Sequence, residues 1–153
     1  MSYIFFNGEI ISANDTIAGA RNRGLRYGDG VFETMKLLNG KIVLDSFHFE
    51  RLFHGLEVLQ FEIPAYLTPA WLSAATTALC RKNYLEASAR IRLNIFRGNG
   101  SLSSTEGEAT HVVMEAESLT NGYGSFNEQG LIIDIYKDVK KSCDKLSNLK
   151  SNN

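Results

Sequence analysis

Short apolar runs occur in two pairs near the start of the chain, and each pair is interrupted by the dipeptide Asn-Gly. The runs are residues 3–6 and 9–11 around Asn7-Gly8, and residues 31–38 and 41–44 around Asn39-Gly40. Asn-Gly favours two-residue hairpin turns because both central residues must tolerate positive φ. The pattern therefore predicts two β-hairpins. The Gly- and Arg-rich stretch 21–30 between them is expected to be a loop.

Two helical patterns follow the second hairpin. Asp45 is the predicted N-cap of a helix that reaches about Gln60, and Thr68 with Pro69 begins a second helix that ends near Asn83. In the first helix, apolar residues recur every three or four positions and predict one buried stripe, formed by Phe49, Leu52, Phe53, Leu56 and Leu59.

Three further strands are predicted in the second half of the chain, at residues 88–97, 110–117 and 131–136. The first of them alternates between two faces, one with Ala89, Ile91, Leu93 and Ile95 and the other with Arg90, Arg92, Asn94 and Phe96. The order ββ-ββ-α-α-β-β keeps strands and helices partly segregated. It indicates an α+β fold, a two-layer α/β sandwich, rather than a doubly wound sheet.

A composition change marks the predicted domain organisation. Residues 119–130 (LTNGYGSFNEQG) have the Gly, Asn and Ser content of a linker. We therefore expect an N-terminal α+β domain over residues 1–118, an interdomain linker over 119–130, and the start of a second domain over 131–153. The last part contains five lysines, namely Lys137, Lys140, Lys141, Lys145 and Lys150.

The composition narrows the classes of function. The 153 residues are 44% hydrophobic, as in a globular soluble protein, and 16 Lys and Arg balance 17 Asp and Glu. This balance argues against nucleic acid or an acidic membrane surface as a partner. No apolar run approaches the about 20 residues of a membrane span. The start of the chain lacks the features of a signal peptide, and Cys80 and Cys143 stand alone, so we expect a cytoplasmic protein without a zinc site or disulfide framework.

Three arginines are candidates for binding anions, and each has a simpler alternative. Arg51, near the start of the first predicted helix, is suited to bind a phosphate, or else it pairs in solvent with a neighbouring acidic residue. We expect His48, three residues earlier, to be a surface or cap residue. Arg92 shares its strand face with Arg90, so this face is either exposed or answered by an anion. Arg97 lies five residues beyond Arg92, which places the two on opposite faces or flanking a twist.

Two more positions have weaker local signals. The stretch Tyr27-Gly28-Asp29-Gly30 leads into Val31-Phe32-Glu33, either as a loop that places Tyr27 and Phe32 beside a ligand or as an ordinary turn. Lys150 is one of several lysines in its segment. A lysine becomes nucleophilic when it is desolvated or lies near other cations, and the sequence does not display that environment.

Taken in order, several stretches resemble the class IV (fold-type IV) pyridoxal-phosphate-dependent aminotransferases. That family includes branched-chain aminotransferases, D-amino-acid aminotransferases and aminodeoxychorismate lyase. The matching stretches are Asn7-Gly8, residues 22–34 (NRGLRYGDGVFET), 48–52 (HFERL), 90–93 (RIRL), 96–98 (FRG) and 146–153 (LSNLKSNN). The resemblance covers nearly the whole chain. Several motifs that occur in the same order as in the family identify it far more specifically than any single motif does.

The resemblance implies a role for each matching residue. Lys150 looks like the lysine that forms the internal Schiff base with pyridoxal 5'-phosphate and moves the substrate's α-proton. Arg51 looks like the arginine that grips the cofactor phosphate. Tyr27, Arg92 and Arg97 match positions on the substrate side of the family. Together with Phe32, which the local pattern places beside a ligand, they are the expected substrate-binding residues. No metal is implied.

The implied activity is amino-group transfer between an amino acid and a 2-oxo acid, in a homodimer. The family's second domain supplies the partner of the cofactor's pyridine nitrogen, so we expect this chain to be an N-terminal fragment that is inactive alone. The alternatives are aminodeoxychorismate lyase action, which releases pyruvate, and a non-catalytic anion-binding module. Glu33-Thr34-Met35-Lys36 departs from the Phe-Glu-Gly-Ile-Arg motif of branched-chain enzymes, whereas Arg92 looks like a residue of the branched-chain group. The resemblance therefore leaves open which of the three groups of enzymes this chain belongs to.

Overall fold

A six-stranded antiparallel sheet is the framework of the chain. The computed structural model describes residues 2–101, 109–119, 128–138, 140 and 142–152. Within them lie β1 (Tyr3–Phe6), β2 (Glu9–Ser12), α1 (Arg23–Tyr27), β3 (Gly30–Leu38), β4 (Lys41–Ile42), α2 (Asp45–Val58), α3 (Pro69–Lys82), β5 (Ser88–Arg97) and β6 (Thr110–Ser118). The strand order is β2-β1-β6-β5-β3-β4. No helix in these ranges is long and apolar enough to cross a membrane.

Helices α2 and α3 cover one face of the sheet, which confirms the predicted α+β architecture. The alternating apolar residues of β5 are fully buried beneath the helices, together with Leu52 and Leu56 of α2 and Leu72 and Leu79 of α3. Each buried Leu or Ile side chain among them contributes about 1.5–3 kcal/mol by leaving water. The predicted stripe of the first helix is also confirmed, because Phe53 and Leu59 pack partly buried against the same core.

Both predicted hairpins form, with Asn7 (φ 48°) and Asn39 (φ 47°) in the left-handed region. The second hairpin is shorter than predicted, because Leu44 turns out of the strand with φ 58° and caps α2. The prediction of Asp45 as the N-cap is therefore wrong by one residue. Asp45 is the first helical residue, where its carboxylate accepts a 2.8 Å hydrogen bond from the N–H of Ser46 and favourably faces the positive end of the helix.

The stretch 21–30 contains a single helical turn, α1, where a loop was expected. Asn22 caps its start, because the side-chain oxygen accepts a 3.0 Å hydrogen bond from the N–H of Leu25. Gly28 ends it with a left-handed φ of 62°. A side-chain cap and a glycine are thus enough to close one turn between the two hairpins.

The predicted strand at residues 131–136 is wrong, because this segment has no regular secondary structure. Its apolar side chains, Leu131, Ile132, Ile133, Ile135 and Tyr136, are 73–105% exposed. A strand needs a hydrogen-bonded neighbour, and none of the six strands described here pairs with this segment. Residues 120–127 of the predicted linker lie outside the described residues, so the domain boundaries stay predictions.

His111 of β6 ties the first hairpin to the sheet. Its ring packs between Phe6 and Phe96, with 5.6 Å between ring centroids on each side. The side-chain oxygen of Asn7 accepts a 2.8 Å hydrogen bond from the N–H of Val112. The amide nitrogen of Asn7, which lies 2.7 Å from Nδ1 of His111, is therefore the donor in that contact. Nδ1 of His111 must then accept, which requires it to be unprotonated.

We expect the protein to lose stability as the pH falls below about 6.5. Burial lowers the pKa of His111 from its ordinary value of 6.5, so the unfolded chain binds this proton more readily than the folded one. The contribution of the neutral ring is present above that pH and is lost below it. Urea unfolding of His111→Gln should show a shallower pH dependence between pH 7.5 and 5.5, whereas exposed His54→Gln should behave as the parent. An unchanged slope in His111→Gln would assign the effect to other groups.

Candidate active site

The charged centre of the candidate site is the carboxylate of Glu33, whose side chain is 0% exposed. Arg51 of α2 binds it side-on, with Nε donating to Oε1 at 2.6 Å and Nη2 donating to Oε2 at 2.7 Å. His48, one turn earlier on α2, donates from Nδ1 to Oε2 at 2.8 Å. Nζ of Lys150 lies 3.3 Å from the same oxygen. Two distant segments of the chain thus bring three nitrogen groups to one buried carboxylate.

Opposing effects act on the Glu33 carboxyl. Burial raises its pKa, because burial disfavours the charged form. Hydrogen bonds from Arg51 and His48 and the positive charges of Lys150 and Arg51 outweigh burial, so the net pKa lies below the ordinary value of 4.5. The bond from Glu33 in turn raises the pKa of Arg51. At neutral pH Glu33 is ionised, and the cluster can hold Arg51 and Lys150 close together.

Lys150 is positioned by a short extended segment, residues 150–152, that runs antiparallel beside the first residues of β3. The carbonyl oxygen of Lys150 accepts a 3.0 Å hydrogen bond from the N–H of Phe32, and the N–H of Asn152 donates to the carbonyl of Gly30 at 2.9 Å. The segment therefore acts as a partial extra strand. It fixes the backbone of Lys150 against the strand that carries Glu33.

Phe32 brings a second cation close to Lys150. The guanidinium carbon of Arg92 lies 4.3 Å from the Phe32 ring centroid, and Nζ of Lys150 lies 5.1 Å from it. In the register of β3 and β5, Phe32 lies opposite Asn94 and Thr34 lies opposite Arg92. These side chains share the sheet face opposite to the helices, because side chains of directly paired residues point to one side.

The two arginines of this open face have different surroundings. Arg90 pairs with Glu117, and both side chains are more than half exposed. Arg92 lines a small cavity of about 90 Å³ with Thr34 and Glu115 and forms no ion pair with any described residue. On this open face, Arg90 is thus paired with a carboxylate of the chain itself. Arg92 has no ion-pair partner among the described residues, so it is the better placed of the two to bind an external anion.

Arg97 lies on the opposite, helix-covered face, as its five-residue offset from Arg92 allows. Nη1 donates to the Asp29 carboxylate at 2.9 Å, and Nη2 donates to the carbonyls of Leu59 at 2.8 Å and Gln60 at 2.7 Å. Its guanidinium carbon also lies 4.3 Å from the Phe61 ring centroid. Arg97 thus joins the end of α2 to the loop before β3.

Tyr27 is the last residue of α1, and two arginines lie close to its ring. The guanidinium carbon of Arg26 lies 4.9 Å from its ring centroid, and that of Arg23 lies 5.7 Å away. Tyr27 and Arg97 line a cavity of about 540 Å³ together with Asp29, Asp144 and Ser151. The structure therefore groups Arg51 and Lys150 around Glu33, and Arg92 and Lys150 around the Phe32 ring, and it places Tyr27 and Arg97 in a neighbouring cavity.

Two residues of the cluster, Glu33 and His48, are not among the predicted site residues. One signal in the sequence could have identified Glu33. It falls in phase with Val31, Met35 and Leu37, the buried positions of β3, so the strand period alone places its carboxylate inside. A buried carboxylate requires cationic partners, and His48 and Arg51 lie one turn apart on the helix that covers that face.

The chain matches the family model described as amino-transferase class IV over residues 30–153. It is 33% identical over 99 residues to a Methanocaldococcus jannaschii protein assigned as a branched-chain-amino-acid aminotransferase, covering 65% of this chain and 33% of that protein. It is 34% identical over 95 residues to the aminodeoxychorismate lyase of Bacillus subtilis, covering 62% and 32%. The chain thus spans about a third of the length of these curated relatives.

Solved structures show the same fold. The branched-chain amino acid aminotransferase of Escherichia coli superposes with a TM-score of 0.67 and 29% identity, over 77% of this chain and 41% of that one. A hypothetical aminotransferase of Mycobacterium tuberculosis, solved in its PLP-bound form, superposes with a TM-score of 0.63 and 23% identity, over 78% and 40%. At that identity the second likeness shows the fold alone.

Proposed function

The chain belongs to the class IV aminotransferase family, and from this we propose that it carries the cofactor lysine and one phosphate ligand of a pyridoxal-phosphate-dependent enzyme. The observation that carries the proposal is the convergence of Lys150 and Arg51 on the buried carboxylate of Glu33. Such an enzyme needs an amine and an anion clamp within reach of one small molecule. The shared contact of Arg51 and Lys150 with Glu33 supports assigning these two roles to them.

The residues present fit the cofactor. When bound, pyridoxal phosphate condenses with amines and serves as an electron sink for the substrate's α-carbon. The Arg51 side chain is 47% exposed although two of its nitrogens bind Glu33, so its guanidinium is accessible to a phosphate. The Lys150 side chain is 30% exposed and presents an amine at the same cluster. Arg51 and Lys150 together carry more positive charge than Glu33 neutralises, which favours an anionic ligand.

Each remaining residue has a role that its contacts support. Lys150 would hold and move the proton at Nζ, with Glu33 as the neighbouring carboxylate. Arg92 would bind the substrate carboxylate on the open face, and the Phe32 ring would keep Arg92 and Lys150 apart. Tyr27 would contribute from the neighbouring cavity. Arg97 would act there indirectly, because its donors hold Asp29 and the end of α2.

We propose amino-group transfer between an amino acid and a 2-oxo acid as the reaction of the whole protein. The 34% identity to an aminodeoxychorismate lyase favours a second candidate, a lyase that releases pyruvate. A protein longer than this chain, supplied with its amino substrate alone, would release pyruvate if it is a lyase. A transaminase would instead require a 2-oxo acid acceptor. The homodimer and the cytoplasmic location implied above stay predictions.

The test is to incubate the chain with pyridoxal phosphate, reduce with borohydride, and map the labelled peptides by mass spectrometry. We expect the label to concentrate on Lys150 rather than on the other lysines of its segment. Lys150→Ala should abolish the specific label, and Lys145→Ala, a matched control in the same segment, should leave it unchanged. Scattered label both here and in a longer protein would contradict the proposal, and it would favour the non-catalytic anion-binding module.

A further inference from the structure

A side-chain contact reinforces the attachment of residues 150–152 to the sheet. Nδ2 of Asn152 donates a 2.7 Å hydrogen bond to Oδ1 of Asn94. Asn94 belongs to β5, whereas the backbone of Asn152 pairs with Gly30 on β3. The Asn152 carboxamide therefore crosses β3, from the strand edge where residues 150–152 lie to the strand on the other side.

Gly30 provides the space for this crossing. A β-carbon at position 30 would lie 2.6 Å from Nδ2 of Asn152 and 2.6 Å from the carbonyl oxygen of Ile95. Both distances are shorter than any real contact of a β-carbon, and the second atom is backbone that cannot move aside. The absence of a side chain at Gly30 and the reach of Asn152 are thus two parts of one arrangement.

Two backbone hydrogen bonds join this segment to β3, and side-chain contacts add to them. The hydrogen bonds from Phe32 to Lys150 and from Asn152 to Gly30 are the two that the described residues show between the segment and β3. Ordering three residues costs more conformational entropy than two hydrogen bonds return in water. The side-chain contact of Asn152 restrains the end of the segment opposite to Lys150, so that both ends of the segment are attached to the sheet.

We propose that Asn94 is a positioning residue for Lys150, acting through the Asn152 carboxamide to hold residues 150–152 on the edge of β3. The chemical consequence rests on the proposed function of Lys150, whereas the structural attachment does not. Asn94 contacts neither the amine nor Glu33 in the described structure. It acts by limiting the positions from which Nζ can reach a ligand between Arg51 and Arg92.

The attachment is tested by amide hydrogen exchange on the full chain, without any cofactor. In Asn94→Leu, which keeps the bulk but removes the acceptor, we expect the amides of Phe32 and Asn152 to exchange about tenfold faster. Asn94→Asp keeps an acceptor and should restore slow exchange. The amide of Gly40, which donates to Glu86 at the other end of the sheet, is the internal reference. Should Asn94→Leu fail to fold, Asn152→Ala removes the same bond from the other partner.

The positioning role is tested by the borohydride label. We expect the share of label on Lys150 to fall severalfold in Asn94→Leu and Asn152→Ala and to recover in Asn94→Asp. Unchanged exchange at Phe32 and Asn152 would overturn the attachment. Faster exchange with an unchanged share of label on Lys150 would overturn the positioning role. If neither the parent nor a longer protein shows a preference for Lys150, the proposed function fails, and the exchange measurement still decides whether Asn94 holds the segment.

Discussion

Replacing Glu33 by Gln is expected to lower the free energy of unfolding by about 3 kcal/mol. The amide preserves the shape of the side chain but removes the charge that Arg51 and Lys150 share. Two partly exposed cationic groups then lie beside each other without a counter-ion, and the buried amide nitrogen of the glutamine faces N–H donors instead of accepting from them. Urea denaturation at pH 7 measures the loss, and the neighbouring exposed Glu50→Gln is the matched control, with an expected change of less than about 0.5 kcal/mol.

The pH dependence of the same variant checks the mechanism. Because the folded-state pKa of Glu33 lies below its ordinary value of 4.5, its contribution to stability is complete above that pH and is lost as the pH falls through the folded value. The difference in stability between the parent and Glu33→Gln should therefore shrink on acidification below pH 4.5. A small difference at pH 7 that stays constant with pH would show that the cluster does not stabilise the fold through charge.

Replacing Arg97 by Met is expected to cost about 2 kcal/mol of unfolding free energy. Methionine keeps the aliphatic contact but leaves the carbonyls of Leu59 and Gln60 without this donor, and among the described residues Arg23 remains as the ion-pair partner of Asp29. The side chains of Arg23, Asp29 and Arg97, which form two ion pairs, are each about 85% buried, so water replaces the lost hydrogen bonds poorly.

Arg90→Met is the matched control for Arg97→Met, since Arg90 lies on the same strand in an ion pair with both members more than half exposed. Its loss should cost less than about 1 kcal/mol. Equal stabilities of the two variants, measured by urea denaturation, would contradict a structural role for Arg97. That result would instead favour the substrate-binding role that the family resemblance implies for Arg97.

Local patterns predicted the elements whose determinants are local. Asn7-Gly8 and Asn39-Gly40 identify their turns because few residues tolerate a left-handed backbone. The stripe of α2 and the alternation of β5 follow from the periods of helix and strand, which any buried face must obey. These features place Arg51 and Arg92 on their elements and faces, but they do not say what each side chain meets.

The site itself depends on contacts between distant residues. Glu33 and Lys150 are 117 positions apart, and no spacing rule connects them. Lys150 was distinguished from the other lysines of its segment by resemblance alone, since its surroundings arise only when residues 150–152 pair with β3. The error at residues 131–136 has the same origin, because an apolar pattern indicates a need for burial and leaves the partner unspecified.

The position of β1 between β2 and β6 has a consequence for synthesis of the chain. Asn7 at the tip of the first hairpin contacts His111 across 104 residues, so the hairpin leaves the ribosome long before its neighbour does. At 5–20 residues per second that interval is roughly 5–20 s. An isolated two-stranded hairpin is marginally stable in water. Phe5 can gain the ring of Trp71 as a neighbour once α3 has emerged, but β1 has its second strand neighbour only after β6 is made.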